Sequence, residues 1–338
     1  MTLWAFMPWF EFAICALLIG RAGYRLTLYG EAISRLTGLS ASWIGLVLLA
    51  TATSLPELFT GVSSVTIANA PNIAMGDALG SIVINLALLV VLDGLSRDEP
   101  VYRRVDQGHI LTAGFGIILT GLVGALILET RDDLNFRIGH VSLYTPFLIL
   151  FYLVAMRAAF FYERRHSATP AAEDEIAPDI GLRGAVIRYA GAAAIVSGAG
   201  ALLPIAGTQI AQQTGWQYSF VGTLLIAAAT SLPEATVTIS ALRRNAPNLA
   251  IGTLLGSNLF DILVIAVDDT VYRPGSLFAH VSPAHAVTAF AGCIMSGILI
   301  VALLYRPGNR FFGWVGWVSL ALLSVYLLSS FAIYLHGH

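Results

Sequence analysis

The hexapeptide Ala52-Thr53-Ser54-Leu55-Pro56-Glu57 returns unchanged as Ala229-Thr230-Ser231-Leu232-Pro233-Glu234. Each copy lies in a long apolar segment, Trp43 to Ala68 and Phe220 to Leu242, in which the glutamate is the only acidic residue. A charge at the centre of a membrane helix costs roughly 2.5–3.5 kcal/mol on insertion scales, so a carboxylate at that depth points to function. The prolines sharpen the point. Pro56 and Pro233 cannot donate a backbone hydrogen bond and leave the carbonyls of Ala52 and Ala229 without a helical partner, so each helix is expected to break there. Inside a bilayer a break is tolerated only where protein or a water-filled cavity satisfies the backbone, and transporters bind ions at such breaks. Hydroxyls, freed carbonyls and a carboxylate together form an all-oxygen cation site. A structural reading stands beside this one: Ser54-x-x-Glu57 and Ser231-x-x-Glu234 each fit a capping box with proline just inside the helix start.

The surrounding chain supports the membrane setting. Of 338 residues, 57% are hydrophobic and 11% charged, and mean hydropathy is +0.78, against about 25% charged in soluble domains. The expectation is an all-α, polytopic membrane protein with ten apolar spans. They run from about Leu3 to Gly20, Trp43 to Ala68, Ile73 to Leu92, Gly108 to Leu128, Val141 to Phe161, Gly184 to Gln209, Phe220 to Leu242, Leu249 to Val267, His285 to Tyr305 and Phe312 to Tyr334. The first lacks a basic flank and a small-residue cleavage site and reads as an uncleaved helix. Cys15 and Cys293 are isolated and offer neither a disulfide framework nor a metal pair. A net charge of −2 with no basic block gives no sign of a nucleic-acid partner.

The hexapeptide is one part of a longer repeat. Asn69-Ala70-Pro71-Asn72 returns as Asn245-Ala246-Pro247-Asn248, and Gly-x-x-x-Gly-Ser occurs at Gly76 to Ser81 and at Gly252 to Ser257. Val101-Tyr102-Arg103 has an echo in Val271-Tyr272-Arg273. The polar stretch around residues 163–182 reads as a linker between a first half, 1–162, and a second, 183–338. Five spans per half is an odd number, so the second half enters the membrane from the opposite side, an inverted repeat. All 18 basic residues are arginine. Only Arg131, Arg137 and Arg273 fall outside the segments that follow spans 1, 3, 5, 7 and 9. The arginine bias places both termini outside and the linker in the cytoplasm, in a membrane of prokaryotic inner (plasma) type.

Asn85 follows Ser81 by four residues and Asp261 follows Ser257 by four, one helix face in each case. Asp261 is ionisable and deep in an apolar run, whereas Gly76, Gly80, Gly252 and Gly256 read first as allowing close helix approach. If spans 2 and 3 are antiparallel neighbours, that face meets the break in the preceding helix. Asp77 stands one turn before Ser81 on the same stripe, opposite Thr253 of the second repeat. It is expected one layer behind the ligands or on the access path, or simply at the favourable N-terminal end of its helix.

Two Thr-Ser-Leu-Pro-Glu motifs, each followed by Gly-Ser and a polar residue four positions on, resemble the α-repeats of the cation/calcium exchanger superfamily, particularly its sodium/calcium exchanger branch. The matched motifs cover about 43–92 and 220–267. The resemblance implies cation ligands Glu57, Glu234, Asn85 and Asp261, assisted by Thr53, Ser54, Ser81, Thr230, Ser231 and Ser257, with the Ala52 and Ala229 carbonyls beside them and Asn258 behind. It further implies antiport of Ca2+ against Na+ by alternating access at a midplane site, spans 1 and 6 as the sliding gate, inorganic cations and the bilayer as partners, and no cofactor. The chain departs from the pattern in places. Ala52 and Ala229 replace the usual glycine, Ile82 replaces the asparagine after the first Gly-Ser, and Asp77 stands where relatives usually have asparagine. Gly80-Ser81-Ile82-Val83-Ile84-Asn85 looks like the proton/calcium branch, so H+/Ca2+ antiport at the same site is the alternative. A passive channel is disfavoured for want of a filter-like segment. Glu57 to Ser81 spans 24 residues but Glu234 to Ser257 only 23. A π-bulge or a longer turn between Glu57 and Asn69 would absorb the extra residue.

Calcium takes six to eight oxygens in adaptable geometry, which such a donor set supplies, whereas magnesium resists dehydration. Three converging carboxylates in low dielectric cannot all stay ionised with nothing bound. They carry calcium, several monovalent cations or protons, and cations that share ligands exclude one another.

Overall fold

The computed structural model describes residues 6–37, 50–96, 99–130, 136–166, 180–308, 310–311 and 315–337. Its helices are α1 (Met7–Thr37), α2 (Ala50–Thr53), α3 (Leu55–Thr66), α4 (Pro71–Leu95), α5 (His109–Glu129), α6 (Thr145–His166) and α7 (Leu182–Thr214) in the first part of the chain. The second part has α8 (Tyr218–Phe220), a π-helical stretch at Val221–Ile226, α9 (Ala227–Thr230), α10 (Leu232–Arg243), α11 (Pro247–Val271), α12 (Leu277–His280), α13 (Ala284–Tyr305) and α14 (Trp317–His336). Two short hairpins, β1 (Arg137–Ile138) with β2 (Val141–Ser142) and β3 (Arg310–Phe311) with β4 (Val315–Gly316), precede α6 and α14.

Among the described residues eight helices are long and apolar enough to cross a membrane. The segment Tyr218–Arg243, bent by 45° at its break, makes a ninth. The tenth expected span carries the first hexapeptide and is described from Ala50 on; residues 43–49 lie outside the described set. Three boundaries differ from expectation. The first helix does not stop at Gly20 but continues through Arg21 and Arg25 to Thr37, because nothing there breaks a helix and arginine is a good helix former. Val141 of expected span 5 and Val315 and Gly316 of expected span 10 are strand residues of the short hairpins, and helix begins only at Thr145 and Trp317. Residues 167–179 of the linker lie outside the described set.

Both hexapeptide helices are interrupted at the serine, with Thr53 ending α2 and Leu55 beginning α3, and Thr230 ending α9 and Leu232 beginning α10. About three turns later each helix is turned back by the Asn-Ala-Pro-Asn motif. Asn69 and Asn245 take φ of 48° and 61°, the left-handed conformation asparagine tolerates beyond a helix end. Pro71 and Pro247 open α4 and α11, where the missing N–H costs nothing. The extra residue of the first repeat is absorbed in this turn: the Ala70 N–H reaches back six residues to the Ser64 carbonyl, whereas Ala246 reaches back five to Ala241.

The closing asparagine of each motif binds the other repeat. Asn72 Oδ1 accepts from the Ser282 N–H (2.6 Å) and lies 3.2 Å from His285 Nε2; Asn248 Oδ1 accepts from the Asp106 N–H (2.8 Å) and its Nδ2 donates to Asp106 Oδ2 (2.9 Å). Likewise Asp93 accepts from the N–H of Val101 and Asp269 from that of Leu277, each eight residues on. This register pairs Val101 with Leu277, so the likeness of Val101-Tyr102-Arg103 to Val271-Tyr272-Arg273 is out of register and carries no structural equivalence. At the centre, α4 and α11 cross and are the most buried helices, while α1 and α7 pack along each other on the flank and rest on α10 and α3.

Candidate cation site

The two helix breaks meet where α4 crosses α11, and the contacts run between repeats. Thr53 Oγ1 lies 3.3 Å from Ser257 Oγ, and Thr230 Oγ1 lies 3.5 Å from Ser81 Oγ. The same two threonines stand near the glutamates crosswise, Thr230 by Glu57 and Thr53 by Glu234. Within the second repeat Ser257 donates to Glu234 Oε1 at 3.2 Å. The expected meeting of span 3 with its own preceding break is thus supplemented by a cross-repeat pairing that motif spacing within one repeat does not reveal.

Close approach makes this possible. A Cβ on Gly76 would stand 2.9 Å from the Thr223 nitrogen, and one on Gly80 2.5 Å from the Thr223 carbonyl oxygen and 2.7 Å from Ala227 Cβ. The two glycines of α4 therefore seat the π-helical stretch that leads into the second hexapeptide. A π-turn rotates the helix beyond it, here aiming Thr230 at Ser81 and Asp77.

All of the predicted polar side chains are buried: Thr53, Ser54, Ser81 and Thr230 are fully enclosed, and Glu57, Asp77, Asn85, Glu234, Ser257 and Asp261 are 1% exposed. Neither serine of the hexapeptides caps its helix; Ser54 Oγ and Ser231 Oγ have no hydrogen-bond partner, nor do Glu57 Oε2, Glu234 Oε2, Asn85 Oδ1 or either oxygen of Asp261. The capping boxes are therefore not formed, and those oxygens are left for something else. Ala52 and Ala229 are buried beside them, their carbonyls facing a proline that cannot donate. Asn258 fixes the orientation of Asn85. Its Oδ1 accepts from Asn85 Nδ2 at 3.0 Å while its Nδ2 donates to the Ile82 carbonyl at 3.4 Å, which leaves the Asn85 carbonyl oxygen free. Asp77 is nearer than its position along α4 suggests, because Thr230 arrives from the other repeat and donates to its Oδ1 at 2.9 Å.

Electrostatically the cluster is uncompensated. Asp261 feels Glu57, Glu234 and Asp77, and Asp77 feels Glu57, while no arginine among the described residues is buried. Nor do three or more carboxylate, histidine or cysteine side chains converge among them as they would around a resident metal. Hydroxyls and amide oxygens are interleaved with the carboxylates.

The fold defines a polytopic α-helical membrane protein, and the family it falls in moves inorganic cations across a membrane. The chain belongs to the sodium/calcium exchanger protein family, which matches it over residues 7–161 and 184–334. An uncharacterized membrane protein of Methanocaldococcus jannaschii, MJ0091, is 30% identical over 300 residues, covering 88% of this chain and 89% of that relative. The sodium/calcium exchanger MaX1 of Methanosarcina acetivorans is 26% identical, covering 89% and 92%. In fold, the chain is similar to the sodium-calcium exchanger NCX_Mj soaked with Na+ and Ca2+ (TM-score 0.61, 22% identity, 97% and 98% covered) and to native YfkE (TM-score 0.66, 18% identity, 96% and 92% covered).

Proposed function

We propose that this protein is a secondary active antiporter that exchanges Ca2+ for Na+ at one site, formed by Glu57, Glu234, Asp261 and Asn85 with the hydroxyls of Thr53, Ser54, Ser81, Thr230, Ser231 and Ser257. The observation that carries the reading is the set of buried, partnerless oxygens at the two helix breaks, drawn from both repeats and lacking a buried cationic side chain among the described residues. A cation of charge two satisfies two carboxylates at once, and monovalent ions do so in number. Because both share the same oxygens, binding is mutually exclusive, and exchange follows if the empty site crosses slowly.

In this reading the halves are 1–162 and 183–338, the termini lie outside, the 163–182 linker is cytoplasmic, and α1 with α7 slides over the broken helices. Protons are the second candidate counter-ion, favoured by Asp77, an additional carboxylate at the crossing. The test is calcium flux in proteoliposomes under sodium and pH gradients imposed separately. Sodium-driven accumulation is expected, and Glu57→Gln or Glu234→Gln should abolish it while the protein remains folded. Near-normal flux in either variant would remove that glutamate from the site, and flux that never exceeds equilibrium would make the protein a passive channel.

A further inference from the structure

Asp268 is a carboxylate that the exchange site does not use. It lies on α11 seven residues beyond Asp261, two helical turns or about 10 Å along the axis, and is completely buried. Neither oxygen has a hydrogen-bond partner. Its neighbour Asp269 is the opposite case, holding the Leu277 N–H, the Ser142 N–H and the Thr145 hydroxyl. The repeat explains Asp269, whose equivalent Asp93 does the same work, and does not explain Asp268, whose equivalent is Leu92.

Space has been made for this carboxylate. It presses on Gly61 of α3, where a Cβ would stand 2.7 Å from Oδ1 and 2.8 Å from Cγ of Asp268 and closer still to Oδ2. The equivalent of Gly61 in the second repeat is Thr238, also fully buried. Glycine of the first repeat thus meets aspartate of the second, where the equivalent positions hold threonine in the second repeat and leucine in the first, a paired exchange that admits an acid on one side of the central site only. Gly61 and Ser64 follow Glu57 at i+4 and i+7, on one stripe of α3. The Ser64 hydroxyl is fully buried and has no partner. A polar seam therefore runs from Glu57 and Asp261 toward the membrane face that carries the Asn69–Asn72 turn.

The ionisable groups around Asp268 can be named element by element. On α11 itself they are Asp261 and the fully engaged Asp269. On α3 there is Glu57, on α4 Asp77, which feels Asp268, and Asp93, which is bound to Val101 and Ser319. On α10 Glu234 is bound by Ser257, and on α5 His109 sits at the far end of α11 beside Gly252. Arg157 of α6 is exposed, Glu129 of α5 accepts from the Tyr144 hydroxyl, His280 of α12 lies 2.8 Å from the Ser276 carbonyl through Nδ1, and His140 of the first hairpin is engaged with the Thr270 carbonyl. No cation among these is paired with Asp268, and on the Gly61 side there is no space even for a methyl group.

We propose that Asp268 is a proton-binding site coupled to the exchange site, an acid that gives up its proton when calcium arrives and regains it when calcium leaves. This rests on the calcium-exchange reading above. The sign follows from charge: a divalent cation held by Glu57, Glu234 and Asp261 favours the carboxylate form of Asp268, so calcium binding releases the proton to water and low pH opposes calcium. The balance is one O–H bond broken and one hydrated proton formed.

The test counts protons. Calcium is added to the purified full-length protein in detergent and weak buffer with a pH-sensitive dye, and proton release is divided by calcium bound. Asp268→Asn should bind calcium yet release fewer protons, by up to about one per ion, and its apparent affinity should vary less with pH. The double variant Gly61→Thr/Asp268→Leu, which copies the residues at the two equivalent positions, Thr238 and Leu92, should show the same deficit and guards against misfolding of the single variant. Equal proton counts in wild type and both variants would overturn the assignment of Asp268. Absence of calcium binding by wild type would instead overturn the exchange reading on which it rests.

Discussion

Replacing Gly80 by alanine tests whether the crossing of α4 with the π-helical stretch sets the site. The new Cβ would stand 2.5 Å from the Thr223 carbonyl oxygen, 2.7 Å from Ala227 Cβ and 2.8 Å from Thr223 Cα. Ordinary contacts of a methyl carbon begin nearer about 3.5 Å, so the two elements must part by about 1 Å. None of the three atoms is the end of a flexible side chain, so no rotamer change relieves the clash. Overpacking of this kind costs about 1–3 kcal/mol. The displacement carries Thr230 with it, and a shift of that size breaks its 2.9 Å bond to Asp77 and its 3.5 Å contact with Ser81. A hydrogen bond to a charged group is worth about 1.5–3 kcal/mol, so calcium affinity should fall roughly tenfold or more, together with the thermal midpoint. Both are measurable on detergent-purified protein, affinity by isothermal titration and stability by thermal unfolding followed by size-exclusion chromatography. Gly114→Ala on α5 is the control, since a Cβ there meets nothing within 4 Å and alanine favours the helix. A wild-type affinity and midpoint for Gly80→Ala would refute the argument that this close approach positions Thr230.

Thr53→Val and Thr230→Val each remove one cross-repeat hydroxyl while keeping shape, and both should weaken calcium binding about tenfold or more; a large effect in one and none in the other would show that the pairing is not functionally symmetric. Asp77→Asn should lower apparent calcium affinity and flatten its pH dependence without abolishing flux, and unchanged affinity from about pH 6 to 8 would leave Asp77 a structural role alone. Thr60→Val deletes the hydroxyl that donates to the Gly200 carbonyl at 3.0 Å and is expected to alter the maximal exchange rate more than calcium affinity, since it touches the flanking helix and not the site; a pure affinity change would contradict that.

Much of the geometry of the candidate site was legible because its signals are local. Proline placed the helix breaks, the lone glutamates placed the charge, and the four-residue spacing of Ser81 with Asn85 and Ser257 with Asp261 placed a face. The choice of which face meets which could not be read. Cross-repeat contacts such as Thr53 with Ser257 are 204 residues apart in sequence, and hydrophobic patterning does not choose partners for helices that are apolar all round. The same lack hid Asp268. Beside Asp269 it reads as half of a polar helix end, and only the packing of Gly61 against it separates the two. The bond from Thr230 to Asp77 was equally hidden, because a distance along one helix takes no account of a hydroxyl delivered by another.

The inverted repeat also explains why the two long flanking helices are not held alike. Gly23 of α1 and Gly200 of α7 occupy equivalent places, one against the ring of Pro233 and the other against the Pro56 carbonyl. Four residues on, however, α1 has Thr27 and α7 has Pro204. Thr27 returns its hydroxyl to the Gly23 carbonyl at 3.2 Å, within its own helix. Pro204 cannot serve Gly200 in that way, and the freed carbonyl is taken by Thr60 of α3, with Ser63 donating to Ala201 beside it. Thus α7 is hydrogen-bonded to the broken helix that carries Glu57, whereas α1 meets α10 through Gly20 and Gly23 on Leu232 and Pro233 and a part-exposed Glu31–Arg244 pair at 3.7 Å. Exposed ion pairs contribute little, and apolar contact resists sliding less than buried hydrogen bonds that must be broken and remade. If α1 and α7 move together, the resistance lies on the α3 side, and the proline that creates it is absent from the other half.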